Sequence, residues 1–287
     1  MRIRIFSSFC PSENCKDIYE RLCESKLTPN YGNDQDIYIT NGDDYDHVII
    51  LNTAMPQIKP GVPRERIVGF AFEPPAFLSL TREFVEYAQK YIGNYYIGDA
   101  SGLPPPFKER YSHMWYNPPV KEPPPKTRVM SLMVSEKMNE IGHLYRHKLV
   151  IKILKSELPI DIWGRGCKFY SFMNDDRVKG DFKEMEPYQS YQFHICIENF
   201  SLNEYFSEKI MNPLLCSSTP VYLGCKNIEE HFPDNVIRLS GDEKADLELL
   251  TQICNSPEKY KKNIDVENVK NRIYLLRNLD NIFGKAA

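Results

Sequence analysis

Short β-branched runs alternating with segments of helical period predict an α/β protein. The alternation occurs twice, on either side of a Pro-rich stretch, which predicts two Rossmann-like halves. The length agrees: 287 residues exceed the usual single-domain range, and each half is long enough to bury its own core.

In the first half, residues 2–7 alternate Arg and Ile before reaching Phe6, which reads as an opening strand. A helix-compatible segment follows from Ser12 to Ser25. The runs Ile37–Ile39, Val48–Leu51 and Ile67–Phe72 are short, β-branched and bounded by polar or Gly/Pro stretches, as buried parallel strands are. Residues 82–91 carry Phe84, Tyr87 and Ala88 at helical spacing, and Tyr95–Ile97 returns as a strand. Between Leu103 and Lys126 stand eight prolines, a density that reads as a stiff, extended linker rather than a helix or central strand.

The pattern then restarts. Val129–Val134 predicts a strand, and a helix follows over Asn139–Leu158 with Leu149, Val150, Ile153 and Leu154 on one face. Further strands are expected at Ile160–Trp163, Phe193–Ile197, Thr219–Leu223 and Val236–Leu239, with helices around 207–217, 242–254 and 258–279. Two such halves suggest a ligand in a cleft between them, near the C-terminal ends of the strands.

Composition narrows the function classes. A net charge of −3 offers no basic footprint for a nucleic acid. No run approaches the length of a membrane span, and the N-terminal apolar run is too short for a signal peptide, so a soluble chain without integral membrane association is expected. Eight Cys without a secretory signal read as thiols of a reducing, cytoplasmic compartment. Cys10, Cys15 and Cys23 cluster without a second pair or a nearby His, which argues against a zinc site. Asp34-Gln35-Asp36 and Asp44-Tyr45-Asp46 read as solvated turn acids, and Gly164-Arg165-Gly166 lacks the third glycine of a dinucleotide fingerprint.

The most informative segment runs from Phe193 to Gly224. A buried strand delivers Glu198 and Asn199 at its C-terminal end, and Ser207 can cap a helix opening with Glu208 and Lys209. Free N–H groups at a helix start, joined by Lys209, suit a diphosphate, and Glu208 could accept from ribose hydroxyls. The plainer reading of the same residues is a cap, a solvated lysine and a turn asparagine. Pro213 should kink or shorten this helix. Arg146, three and four residues before Leu149 and Val150, projects to the core-facing side of its helix and can serve as a phosphate ligand or as a structural Arg paired to an acid. Glu73, followed by Pro74 and Pro75, ends a buried strand; burial beside Phe70 and Phe72 would make it a stronger base, and capping a backbone N–H is the alternative.

The order Glu198-Asn199, Tyr205, Ser207-Glu208-Lys209, then Pro220-Val221-Tyr222-Leu223-Gly224, resembles the C-terminal donor motif of glycosyltransferase family 10, the α1,3/α1,4-fucosyltransferases. Phe200 departs from it, standing where the family commonly has Ser. The resemblance implies a GT-B fold, two Rossmann-like domains facing each other across a cleft: residues 1–120 on the acceptor side and 121–287 on the donor side, with the last helix packing back on the first domain. It implies an inverting transfer of fucose from GDP-fucose to a glycan hydroxyl. Asn199, Tyr205, Glu208, Lys209 and Arg146 would bind the donor, and Glu73 would be the general base. The donor is a substrate, no cofactor is required, and a divalent metal is at most stimulatory. The lack of an anchor resembles the soluble microbial or viral members. UDP-xylose or another UDP-sugar is the alternative donor, and a non-catalytic glycan- or nucleotide-binding module the alternative class.

Overall fold

The computed structural model describes residues 1–22, 30–114 and 124–284. The chain divides into two compact units: Met1–Pro119 with Asn203–Tyr205 and Lys270–Ala287, and Val120–Leu202 with Phe206–Val269.

The first unit is built on a parallel sheet of β1 (Arg2–Ser7), β2 (Tyr38–Thr40), β3 (His47–Leu51), β4 (Ile67–Phe70), β5 (Asn94–Ile97) and β6 (Phe107–Glu109), in the order β2-β1-β3-β4-β5-β6. All five residues of β3 are buried, as a strand covered on both faces requires. β1 pairs with it from Ile3 opposite His47 to Ser7 opposite Leu51. Helix Arg82–Tyr91 buries Phe84 and Ala88 and starts where Thr81 Oγ1 accepts the Phe84 N–H at 3.1 Å.

Two features differ from the sequence expectation. Part of the Pro-rich stretch is sheet, since β6 pairs with β5 from Phe107 opposite Tyr95. As an edge strand it needs hydrogen bonds on one side only, which a chain entering from Pro104-Pro105-Pro106 can supply. Pro118, Pro119 and Pro123 of the expected linker, and Cys23, lie outside the described residues. The expected helix over 258–279 is instead Pro257–Tyr260, Val266–Ile273 and a 3₁₀ turn at Leu276–Asn278 that continues into helix Leu279–Phe283. The break at Tyr274 follows from a bridge to Met114, whose N–H donates to Ile273 O at 2.7 Å and whose carbonyl accepts the Leu275 N–H at 3.2 Å. Leu275, Leu276, Leu279 and Ile282 then join Ile3, Ile5, Val68 and Phe70 in one core.

The second unit carries β7 (Arg128–Met133), β8 (Ile160–Trp163), β9 (Val178–Gly180), β10 (Tyr191–Ile197), β11 (Thr219–Leu223) and β12 (Ile237–Arg238), all parallel, in the order β12-β11-β10-β7-β8-β9. The chain winds outward from β7 to β9, crosses to β10 and winds outward the other way. That is the doubly wound order, with its switch point between β7 and β10. β9 lacks an apolar run and escapes sequence reading, being a half-buried edge of three residues.

Helix Ile141–Leu154 starts at this switch point. Its far end is held by Arg177, which donates to the carbonyls of Ile153, Leu154, Ser156 and Leu158 at 2.8–3.1 Å and pairs with Asp175 at 2.7 Å. A guanidinium there satisfies carbonyls the helix leaves open and opposes its dipole. At the near end the Gly142 N–H donates to Asn199 O at 3.2 Å. A Cβ on Gly142 would lie 1.9 Å from the Glu198 carbonyl oxygen, so only glycine lets the helix approach the end of β10 this closely. Replacing Gly142 with Ala should push the helix off the strand end and cost about 2–3 kcal/mol, read as a lowered urea midpoint at unchanged m-value.

Candidate functional site

The last buried residue of the β10 run is not apolar. Glu198 follows Ile197, its backbone N–H donates to Leu223 O at 2.8 Å, and its side chain is fully buried. Gly224 makes room for it, because a Cβ there would lie 2.4 Å from Glu198 Cγ and 2.5 Å from the Tyr222 hydroxyl. The carboxylate accepts the Ser207 N–H at 2.9 Å and the Ser207 hydroxyl at 2.7 Å. Ser207 is the N-cap of helix Glu208–Leu215, its Oγ accepting the Lys209 N–H at 3.4 Å. With Pro213 inside it, this helix runs only two turns.

Lys209 Nζ lies 3.1 Å from Glu208 Oε1, 3.2 Å from Ser207 Oγ and 3.6 Å from Glu198 Oε2. Burial raises the Glu198 pKa above the ordinary carboxylate range, with Lys209 only partly opposing it. Glu208 goes the other way: burial works against its charge, but contact with Lys209 prevails and lowers its pKa. Burial also works against the Lys209 ammonium, which Glu208 and Glu198 together outweigh, holding its pKa above the usual value. The lysine is therefore charged, 16% exposed, and held beside a half-exposed Glu208.

Arg146 lies one turn into the switch-point helix and is 5% exposed. Its Nη1 donates to Ile197 O at 2.8 Å and its Nη2 to Asn199 Oδ1 at 2.9 Å. The end of β10 thus gathers Arg146, Asn199, Glu208 and Lys209 in one place. It also recruits Glu198, which the sequence reading placed at the strand end without assigning it a role. Its signal was a carboxylate directly following the apolar run Ile195–Ile197.

The other two site residues belong to the first unit. Tyr205 is buried there, its Cβ 3.0 Å from the Cβ position that Gly98 lacks, while the neighbouring Glu204 accepts the Tyr111 N–H at 3.0 Å. Glu73 follows β4 but is exposed, not partly buried beside Phe70 and Phe72 as expected. The chain leaves the sheet after Phe70, Asn52 Oδ1 holds the Phe72 N–H at 2.9 Å, and Pro74 and Pro75 open a short helix instead of extending the loop.

A cavity of about 720 Å³ opens at the C-terminal ends of β8 and β9, lined in part by Glu136, Arg165, Lys168, Lys179 and Asp181. None of the six sequence-assigned residues lines it. Among the described residues no cluster of His, Cys, Asp and Glu is arranged to hold a metal ion, and no helix is long and apolar enough to cross a membrane.

Two units, each a six-stranded parallel sheet with helices, make an architecture similar to the GT-B fold. Residues 123–263 match the model for glycosyltransferase family 10 (fucosyltransferase), C-terminal domain. A fucosyltransferase-like protein of Arabidopsis thaliana is 32% identical over 89 residues, a match taking in 31% of this chain and 16% of the plant protein. Among solved structures, an α1,3-fucosyltransferase with GDP-fucose superimposes with a TM-score of 0.51 at 13% identity, covering 100% of this chain and 91% of the other. Anabaena HepE in complex with UDP and glucose gives 0.53 at 9% identity, covering 96% of each chain. At these identities the structural likeness concerns the fold.

Replacing Lys209 with Met would leave two neighbouring carboxylates without their cation. A loss of about 3 kcal/mol is expected near neutral pH. Because the Glu198 pKa is already raised and would rise further, lowering the pH toward 5 favours its protonated form and removes part of the penalty. Urea unfolding of both proteins at the two pH values should show the difference between them shrinking in acid.

Proposed function

We propose that the chain is an inverting glycosyltransferase that moves fucose from GDP-fucose to a hydroxyl of a glycan acceptor. The observation that carries this reading is the pairing of Lys209 and Arg146 at the switch point of a family 10 domain. The second unit takes the donor and the first the acceptor. Lys209, at a capped helix start, and the planar fork of Arg146 bind the diphosphate. Asn199 and Tyr205 complete the donor contacts, and the half-exposed Glu208 accepts from the ribose hydroxyls.

The chemistry is one displacement. Glu73 takes the proton of the acceptor hydroxyl, whose oxygen attacks the anomeric carbon. The bond from that carbon to the diphosphate breaks, and the electron pair leaves with GDP, stabilised by Lys209 and Arg146. No cofactor is required, and a divalent ion has at most a stimulatory part. A cytoplasmic location accords with the seven described cysteines standing as thiols rather than in disulfides. A UDP-sugar is the second reading of the donor, favoured by the equally good fold match to a UDP-bound neighbour.

Calorimetry with GDP, GDP-fucose, UDP and UDP-xylose, with and without Mn²⁺, tests the donor. Selective GDP and GDP-fucose binding that Lys209→Ala abolishes is expected; selective UDP binding would replace the donor, and no binding would leave a non-catalytic module. Once an acceptor screen detects transfer, Glu73→Gln should abolish turnover while leaving the donor affinity within about twofold.

A further inference from the structure

His143 is the third residue of helix Ile141–Leu154, one turn before Arg146 and on the same face. It is 3% exposed, its Nδ1 is buried without a hydrogen-bond partner, and among the described residues its ring makes no hydrogen bond at all. A histidine kept for the core normally has its ring nitrogens satisfied, so an imidazole left open in this way calls for a partner from outside the chain. The charged and titratable groups that act on it are Arg146 and His147 from its own helix, Lys137 from the segment before it, and Lys209 from helix Glu208–Leu215. Burial, and after it these neighbours with Arg146 foremost, push its pKa down to about 4, so at neutral pH the ring is uncharged and can donate through one nitrogen. The helix start beside it favours an anion as well.

We propose that His143 is a further ligand of the donor diphosphate, giving an imidazole N–H to a phosphate oxygen alongside Arg146 and Lys209. The inference rests on the donor site proposed above. An incoming diphosphate supplies the acceptor the ring lacks and reverses the sign of the local field. Its negative charge also raises the imidazole pKa, so binding in mild acid takes up a proton at this ring.

The test uses whichever of GDP and UDP the wild type binds, together with the corresponding nucleoside, on wild type, His143→Ala and His143→Gln. The expected result is a roughly tenfold weaker nucleotide affinity in His143→Ala, unchanged nucleoside affinity, and substantial recovery in His143→Gln, which keeps an N–H donor. Calorimetry near pH 5 in buffers of different ionisation enthalpy should show proton uptake in the wild type that His143→Gln lacks; this readout stands even where His143→Ala does not fold. Nucleotide affinity unchanged in a folded His143→Ala, or proton uptake unchanged in His143→Gln, overturns the role of His143 alone. A wild type that binds neither nucleotide overturns the donor site itself, and this ligand with it.

Discussion

A buried carboxylate at the end of β10 organises the second unit. Burial disfavours the charged form of Glu198, and two hydrogen bonds from Ser207 with Lys209 3.6 Å away oppose that penalty. Those contacts fix where the chain re-enters and where helix Glu208–Leu215 begins. Its own backbone is fixed on one side by Leu223 and on the other by the close approach of Gly142. Such an arrangement contributes little net stability, since desolvating the ions offsets most of their attraction. What it supplies is position: Lys209 is charged, ordered and near the surface.

The surrounding architecture keeps that position rigid. Arg177 closes the C-terminal end of helix Ile141–Leu154. Buried Asp246 accepts from Tyr145 of the same helix and from the Ser240 and Gly241 N–H groups, tying the helix to the turn before Glu243–Asn255. Arg146 and His143 are thereby carried on an element held at both ends and along its side, as the proposed donor-binding role requires. The doubly wound order explains why they lie here: at the reversal between β7 and β10 the neighbouring connections diverge to opposite faces, leaving the strand ends open.

Much of this was legible from local pattern. Helix Arg82–Tyr91 and strands β8 and β11 appear at the residues the sequence pattern predicted, because each is specified by an apolar run or face within its own residues. β6 and β9 were not legible. Each is a three-residue edge whose pairing comes from a neighbour rather than from any apolar run of its own. The C-terminal helix likewise reads as continuous until Met114 pairs with the backbone around Tyr274, a partner distant in the chain.

The linear order of residues was enough to indicate two α/β halves and to single out the segment from Phe193 to Gly224, since both are patterns within a few residues' reach. It could not establish that Gly142 and Gly224 are the spaces into which the end of β10 fits, that Glu198 is the group around which Lys209 is placed, or that His143 stands buried with an open nitrogen. Nor could it show that Glu73 is exposed. These depend on which distant segments meet and how closely, and van der Waals contact, desolvation and charge pairing exist only once the chain has brought those segments together.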